Sequence, residues 1–156
     1  MKEVMVRTAV QHDLTTLLIF EQGVIAAERP FDSTLKSGPI NYYDIEKMIA
    51  AEDVELVVAV HNNEIIGSGY ARIENSKPYC KHAKYAYLGF MFVQAQYRGK
   101  GINQLIIQAL IKWATLKNIT EVRLDVYQNN DAAIRAYQKV GFTKHMVEMR
   151  MEITEI

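Results

Sequence analysis

The strongest pattern in the chain lies in Gly101–Lys117, where Ile102, Leu105, Ile106, Ala109, Leu110 and Trp113 recur at helical spacing. Such a stripe predicts a helix with one face on a core. Leu14, Leu17, Leu18 and Ile25 predict an earlier helix over His12–Ala27, with Asp13 near its N-cap. Asn41–Glu52 reads as a second helix capped by Asn41, after an irregular stretch, Glu28–Ile40, that holds Pro30, Gly38 and Pro39. Asn130–Val140 reads as a short helix that Gly141 ends in the left-handed region.

Strand patterns fill the spaces between. Val4–Thr8 is a short first strand, and Val54–Val60 and Glu64–Glu74 flank the turn signal Asn62-Asn63 as a hairpin. Tyr85–Val93 is almost continuously apolar, as expected of a strand covered on both faces, with Gly89 marking a bend or bulge. Glu121–Tyr127 alternates, with Val122, Leu124 and Val126 on one face. In Thr143–Ile153, Val147, Met149, Met151 and Ile153 alternate with Glu148, Arg150 and Glu152, which predicts a closing antiparallel strand with one wet face. The order is β-α-α-β-β-β-α-β-α-β, an α/β fold whose mixed sheet carries helices on its faces. The unit from Tyr85 to Tyr127 should be a right-handed crossover between parallel strands.

Composition narrows the class. The 156 residues suit a single domain spanning 1–156. Lysine and arginine number 18, aspartate and glutamate 18, a balance that argues against a nucleic-acid binder. No apolar run reaches the length of about 18 residues that a membrane span needs, and Met1–Val10 lacks the apolar core of a signal peptide. Cys80 is the lone cysteine, so no internal disulfide or cysteine zinc site forms; no metal is expected and a reducing cytoplasm fits.

The chemistry concentrates in Val93–Asn103, which leaves a buried strand and enters the strongest helix. Gly99 and Gly101 let the backbone turn and let a ligand approach closely. The first helical N–H groups, the helix dipole, Arg98 and Lys100 together make an anion site that suits a pyrophosphate. No Gly-Lys-Ser/Thr occurs, so this is not a P-loop; Gln104 stands where a dinucleotide fingerprint needs its third glycine. A ligand-free β–α connection is the plainer alternative.

Gln96-x-x-Gly99-x-Gly101 resembles the [QR]-x-x-G-x-[GA] motif of the GNAT superfamily of N-acetyltransferases. Asn130-x-x-Ala133-Ile134-x-x-Tyr137-x-x-x-Gly141-Phe142 resembles that family's second signature, at the expected distance. The likeness runs from about Val54 to the C-terminus. It implies the GNAT fold, with a splayed pair of parallel strands, and direct transfer of an acetyl group from acetyl-CoA to a primary amine of a small molecule or peptide. It leaves a homodimer open. Met91, Phe92 and Val93 would pair with the pantetheine arm. Gln96, Arg98, Gly99, Lys100, Gly101, Ile102 and Asn103 would form the pyrophosphate turn. Asn130 and Ala133 would meet the pantetheine region. Tyr137 would protonate the departing thiolate; its alternative is a core tyrosine.

One departure stands out. Many family members carry a glutamate in the strand before the motif, but Tyr87–Val93 holds no carboxylate. The base must then lie elsewhere, act through water or be dispensable, and a non-catalytic acyl-CoA binder or sensor is the rival reading. Glu28, Arg29, Tyr42 and His82 are candidates for the acceptor side: Glu28 as base or amine ligand, Arg29 for a substrate carboxylate, His82 from the loop before the central strand. Each has a plainer reading as a solvated loop or packing residue. Asp125 is a further base candidate, or an outward strand carboxylate.

Overall fold

The run Leu56-Val57-Val58-Ala59 can be apolar throughout only if both faces of its strand are covered, and they are. Leu56 and Val58 face one core, Val57 and Ala59 another, and all four are buried. A computed structural model describes residues 3–154. Its strands are β1 (Met5–Thr8), β2 (Val54–His61), β3 (Glu64–Asn75), β4 (Lys84–Val93) and β5 (Val122–Arg123). Its helices are α1 (Leu14–Glu28), α2 (Ile45–Ala50), α3 (Ile102–Leu116) and α4 (Asp131–Val140). The sheet runs β1-β2-β3-β4-β5, antiparallel except for the parallel β4–β5 pair. Asn62 and Asn63, both at positive φ (50° and 63°), make the tight β2–β3 turn.

Helix α3 covers one face through Ile102, Ile106, Ile107, Leu110 and Ala114. The predicted stripe is rotated slightly: Ile107 is buried, whereas Leu105 is partly exposed. Helices α1 and α2 cover the other face with Leu17, Phe20, Val24 and Ile45, and Leu18 turns outward instead of joining them. Asp13 does not cap α1 with its side chain; it is buried, accepting two hydrogen bonds from Arg7 (2.8 and 3.0 Å) and one from Val10 N–H (2.8 Å). Helix α2 starts later than predicted because Asp44, not Asn41, caps it, accepting from Lys47 N–H at 3.2 Å. Ahead of it, Glu21 is fully buried on α1 and accepts the N–H groups of Tyr42 (2.8 Å) and Tyr43 (2.7 Å), pinning the α1–α2 connection.

Two features of the strands shape the site. First, Tyr70 faces Gly89 while Ser68 faces Phe92, so β4 carries a bulge one step beyond the glycine. Phe90 absorbs it at φ +54°, and the buried Ser68 hydroxyl donates to its carbonyl at 3.0 Å. A bulge bends its strand and sharpens the twist. Second, β5 pairs with β4 only at Ala86–Val122 and Tyr87–Arg123, far short of the predicted Glu121–Tyr127. Beyond Tyr87 the two parallel strands part.

The predicted closing strand does not form within the chain. Residues 143–154 are assigned to no strand, and all of them are exposed. No described helix is long and apolar enough to cross a membrane.

Candidate active site

Where β4 outruns β5, the edge of Leu88–Val93 keeps backbone groups that no strand takes up among the described residues. A cleft of about 380 Å³ opens there. Met91, Phe92 and Val93 form its floor, Arg98 and Asn103 one end, Asn130, Ala133 and Tyr137 the α4 side. Val24, Ala27 and Glu28 enter from α1, and Asp125, Val126 and Tyr127 from the segment after β5. Gly23 makes the α1 wall possible. A Cβ there would lie 2.5 Å from the Phe92 ring, so only glycine lets the helix sit this close to the end of β4.

The turn into α3 has the expected form. Gly99 and Gly101 both sit at positive φ (76° and 79°), and nothing lies within 4 Å of where a Cβ would stand. Leu105 N–H bonds back to Gly101 at 3.2 Å, and the earlier first-turn N–H groups of α3 have no helical acceptor. Arg98 is held across the mouth, donating to Val93 O at 3.0 Å over the Phe92 ring. Asn130 caps α4, its side-chain oxygen accepting from Ala133 N–H at 3.2 Å, which leaves its amide NH₂ to the cleft. Gln96 bonds Gln94 instead, and Lys100 and Ile102 line a separate shallow pocket with Tyr97 and His61. The side chain of Ile102 is buried, so it offers the turn only its N–H.

Tyr137 is partly buried, edge-on to Phe142 (5.9 Å) and packed on the α3 core, while also lining the cleft. Burial, helped by the charge on Glu28, pushes its phenol up to about 12. Glu28 is half-buried in the same cleft, and burial pushes its carboxyl above the usual range, with Asp32 adding to the rise. Tyr42 faces Glu28, and burial, with Glu28 beside it, pushes its phenol up to about 12.

The remaining acceptor-side candidates separate. Arg29 is tied to its own loop, donating to Lys36 O (2.8 Å) and Gly38 O (2.7 Å), so it is not presented to a substrate carboxylate. His82 lies in the loop before β4, at the end of that strand away from the cleft, and pairs with Glu121 at 3.5 Å. It does not overhang the site. Asp125 reaches the cleft and accepts from Tyr87 Oη at 3.0 Å. Two partners escape the sequence pattern. Tyr127 donates to Asp32 at 2.7 Å and stacks on Phe31, joining the segment after β5 to the loop after α1. Hydrogen bonds from Thr34 and Tyr127 hold Asp32 down to about 2.

Comparison with known proteins places this geometry. A sequence profile of the acetyltransferase (GNAT) family matches residues 22–142. The spermine/spermidine N(1)-acetyltransferase of Bacillus subtilis (strain 168) is 37% identical over 57 residues, 36% of this chain and 38% of that protein, so the match spans well under half of the relative's length. A solved variant of the BH1408 protein of Bacillus halodurans has the same fold at a TM-score of 0.85 and 21% identity, covering 96% of this chain and 99% of that one. A Clostridium acetobutylicum protein described as a predicted acetyltransferase and solved with acetyl-CoA follows at a TM-score of 0.71 and 20% identity, covering 96% of each chain.

Proposed function

The chain belongs to the acetyltransferase (GNAT) family, and from that premise we propose that it transfers an acetyl group from acetyl-CoA directly to a primary amine of a small molecule or peptide. The observation that carries this reading is the parting of β4 and β5 above a turn with Gly99 and Gly101 at positive φ. The free edge of Met91–Val93 suits an amide-bearing arm, and the turn suits a pyrophosphate. Bound acetyl-CoA supplies the thioester that the amine attacks.

The protein must make the amine neutral. An ammonium of pKa about 10.4 is neutral only about once in a few thousand at pH 7, a deficit of about 4–5 kcal/mol. Glu28 is the proposed base that takes this proton. It replaces the carboxylate that β4 lacks, and its raised proton affinity brings it nearer the pH at which a base works best. A backbone N–H on the β4 edge meets the charge that grows on the carbonyl oxygen. Tyr137 acts on the leaving sulfur. A phenol near 12 is a much weaker acid than a thiol of about 8.5, so complete proton transfer would cost about 5 kcal/mol. Its role is to donate a hydrogen bond to the thiolate, while the thiolate takes the proton that the attacking nitrogen sheds as the amide forms, so that the transfer ends as amide and free thiol.

Glu28 and Asp125 give the acceptor side a negative rim, with Tyr127 beside them. That rim suits a cationic acceptor, and the Bacillus subtilis relative is named for spermine and spermidine. Thiol release from acetyl-CoA against a panel of polyamines, lysyl peptides, aminoglycosides and neutral amines tests the reading. Turnover should be fastest with polycationic amines. Acetyl-CoA binding without turnover of any primary amine would favour the sensor instead.

A further inference from the structure

Glu21 and Glu28 stand two turns apart on one side of α1, about 10 Å along its axis. Glu28 faces the cleft, whereas Glu21 is fully buried, and a buried carboxyl is costly unless it is well bonded. One oxygen of Glu21, Oε2, accepts two consecutive N–H groups, from Tyr42 (2.8 Å) and Tyr43 (2.7 Å). The next residue of α1 holds the same loop, Gln22 donating to Ile40 O at 3.0 Å. From this anchor the two tyrosines part. Tyr43 enters the core against Phe90 (4.9 Å) and Tyr70 (5.8 Å). Tyr42 lies edge-on to Tyr43 at 5.7 Å, its hydroxyl buried and facing Glu28.

We propose that Tyr42 is a positioning residue for the base: its hydroxyl, set in place by the buried Glu21 carboxyl, donates to Glu28 and aims the carboxylate into the cleft. The inference rests on the reading of Glu28 as that base. Glu28 needs such a partner. It is the last residue of α1, where the helix end frays and its dipole disfavours a negative charge. Burial and the Asp32 carboxylate act in the same direction, and the hydrogen bond from Tyr42 opposes them. The other groups around Glu28 are engaged elsewhere. Tyr127 donates to Asp32 at 2.7 Å, Tyr43 is packed on Phe90, and Tyr137 of α4 lies against Phe142. Asp125 and Arg98 line the same cleft but are taken up by Tyr87 and by Val93 O. A phenol held near 12 keeps its proton across the working range, so Tyr42 stays a donor. A neutral donor also suits a base. An arginine or lysine in its place would aim the carboxylate equally well but pull its proton affinity too low to be useful.

Carboxyl-carbon NMR titration of Glu28 in the full chain, assigned by comparison with Glu28→Gln, tests this without relying on turnover; a pH profile of kcat/KM accompanies it. Tyr42→Phe keeps the ring on Tyr43 and removes only the hydroxyl, so the fold should survive. The Glu28 midpoint should rise by about one pH unit, the share of one hydrogen bond where two or three hold a carboxylate below about 2. The acid limb of kcat/KM should move up with it. Glu21→Gln should also raise the midpoint, by loosening the Tyr42 backbone, although removing a negative charge would by itself lower it. That second variant carries the test if the first does not fold. A midpoint that Tyr42→Phe leaves in place overturns the proposal, and so does one that Glu21→Gln lowers or leaves in place. A raised midpoint with an unmoved limb would keep the tie between Tyr42 and Glu28 and overturn Glu28 as the base.

Discussion

In the proposed reaction Glu28 takes the amine's proton and Tyr137 donates a hydrogen bond to the leaving thiolate, and each function can be removed by a substitution that keeps the packing. Glu28→Gln keeps size and polarity but cannot accept a proton. It should lower kcat by about 10²–10⁴-fold, the usual worth of a general base, with acetyl-CoA affinity nearly unchanged. Glu28 works only when ionised, and its carboxyl is raised by burial. Wild-type activity should therefore fall as pH drops through a range above that of an ordinary carboxylate, and the fall should disappear in Glu28→Gln. A pH profile of kcat/KM measures both. Tyr137→Phe keeps the ring that packs on Phe142 and removes only the hydroxyl. The expected loss is about 10²-fold in kcat, the scale of one donor aimed at developing charge. Unchanged steady-state kinetics would return Tyr137 to the core.

The elements were legible to different degrees, for physical reasons. Helix α3 and strand β4 appear in the sequence because each buries a continuous set of residues whose period the chain must show. Helix α2 is misplaced by sequence because Asn41 and Asp44 are both good caps, and the choice between them is made by the distant Glu21, which holds the N–H groups of Tyr42 and Tyr43. The shortness of β5 is hidden for a similar reason. Val122, Leu124 and Val126 alternate as a strand should, but the bulge at Phe90 lies on the neighbour. The Gly99–Gly101 turn is readable because glycine at positive φ is a local demand, whereas the opposite side of the cleft depends on residues as far apart as Asp32 and Tyr127. Asp13 offers a test at this scale. Its hydrogen bonds from Arg7 lower its pKa, so the stability it contributes is complete above about pH 4 and lost as pH falls through the lowered value. Asp13→Ala should lower Tm at neutral pH by the equivalent of about 1–3 kcal/mol and flatten the acid limb of Tm against pH. An unaltered limb would show that the Arg7 pair does not set it.

Across the whole molecule, the two halves of the sheet differ. Its antiparallel half, β1 to β4, is covered on both faces and fixes the position of Met91–Val93. At its parallel end the bulge and the short β4–β5 pairing leave the edge of Leu88–Val93 open over the turn into α3. The central claim is that the opening over the Gly99–Gly101 turn is the acetyl-CoA site. Calorimetric titration of acetyl-CoA into wild type and Gly101→Asp, with ATP as the control ligand, tests it most directly. The aspartate meets open space, so the fold should persist with no more than about 1–2 kcal/mol of backbone strain at φ +79°. Its charge, however, would stand against the pyrophosphate, a clash of several kcal/mol. The account predicts saturable one-to-one binding of acetyl-CoA to wild type, tighter than ATP, and at least about a hundredfold weakening in the folded variant. Equal affinity in the two proteins, or a preference for ATP, would contradict it.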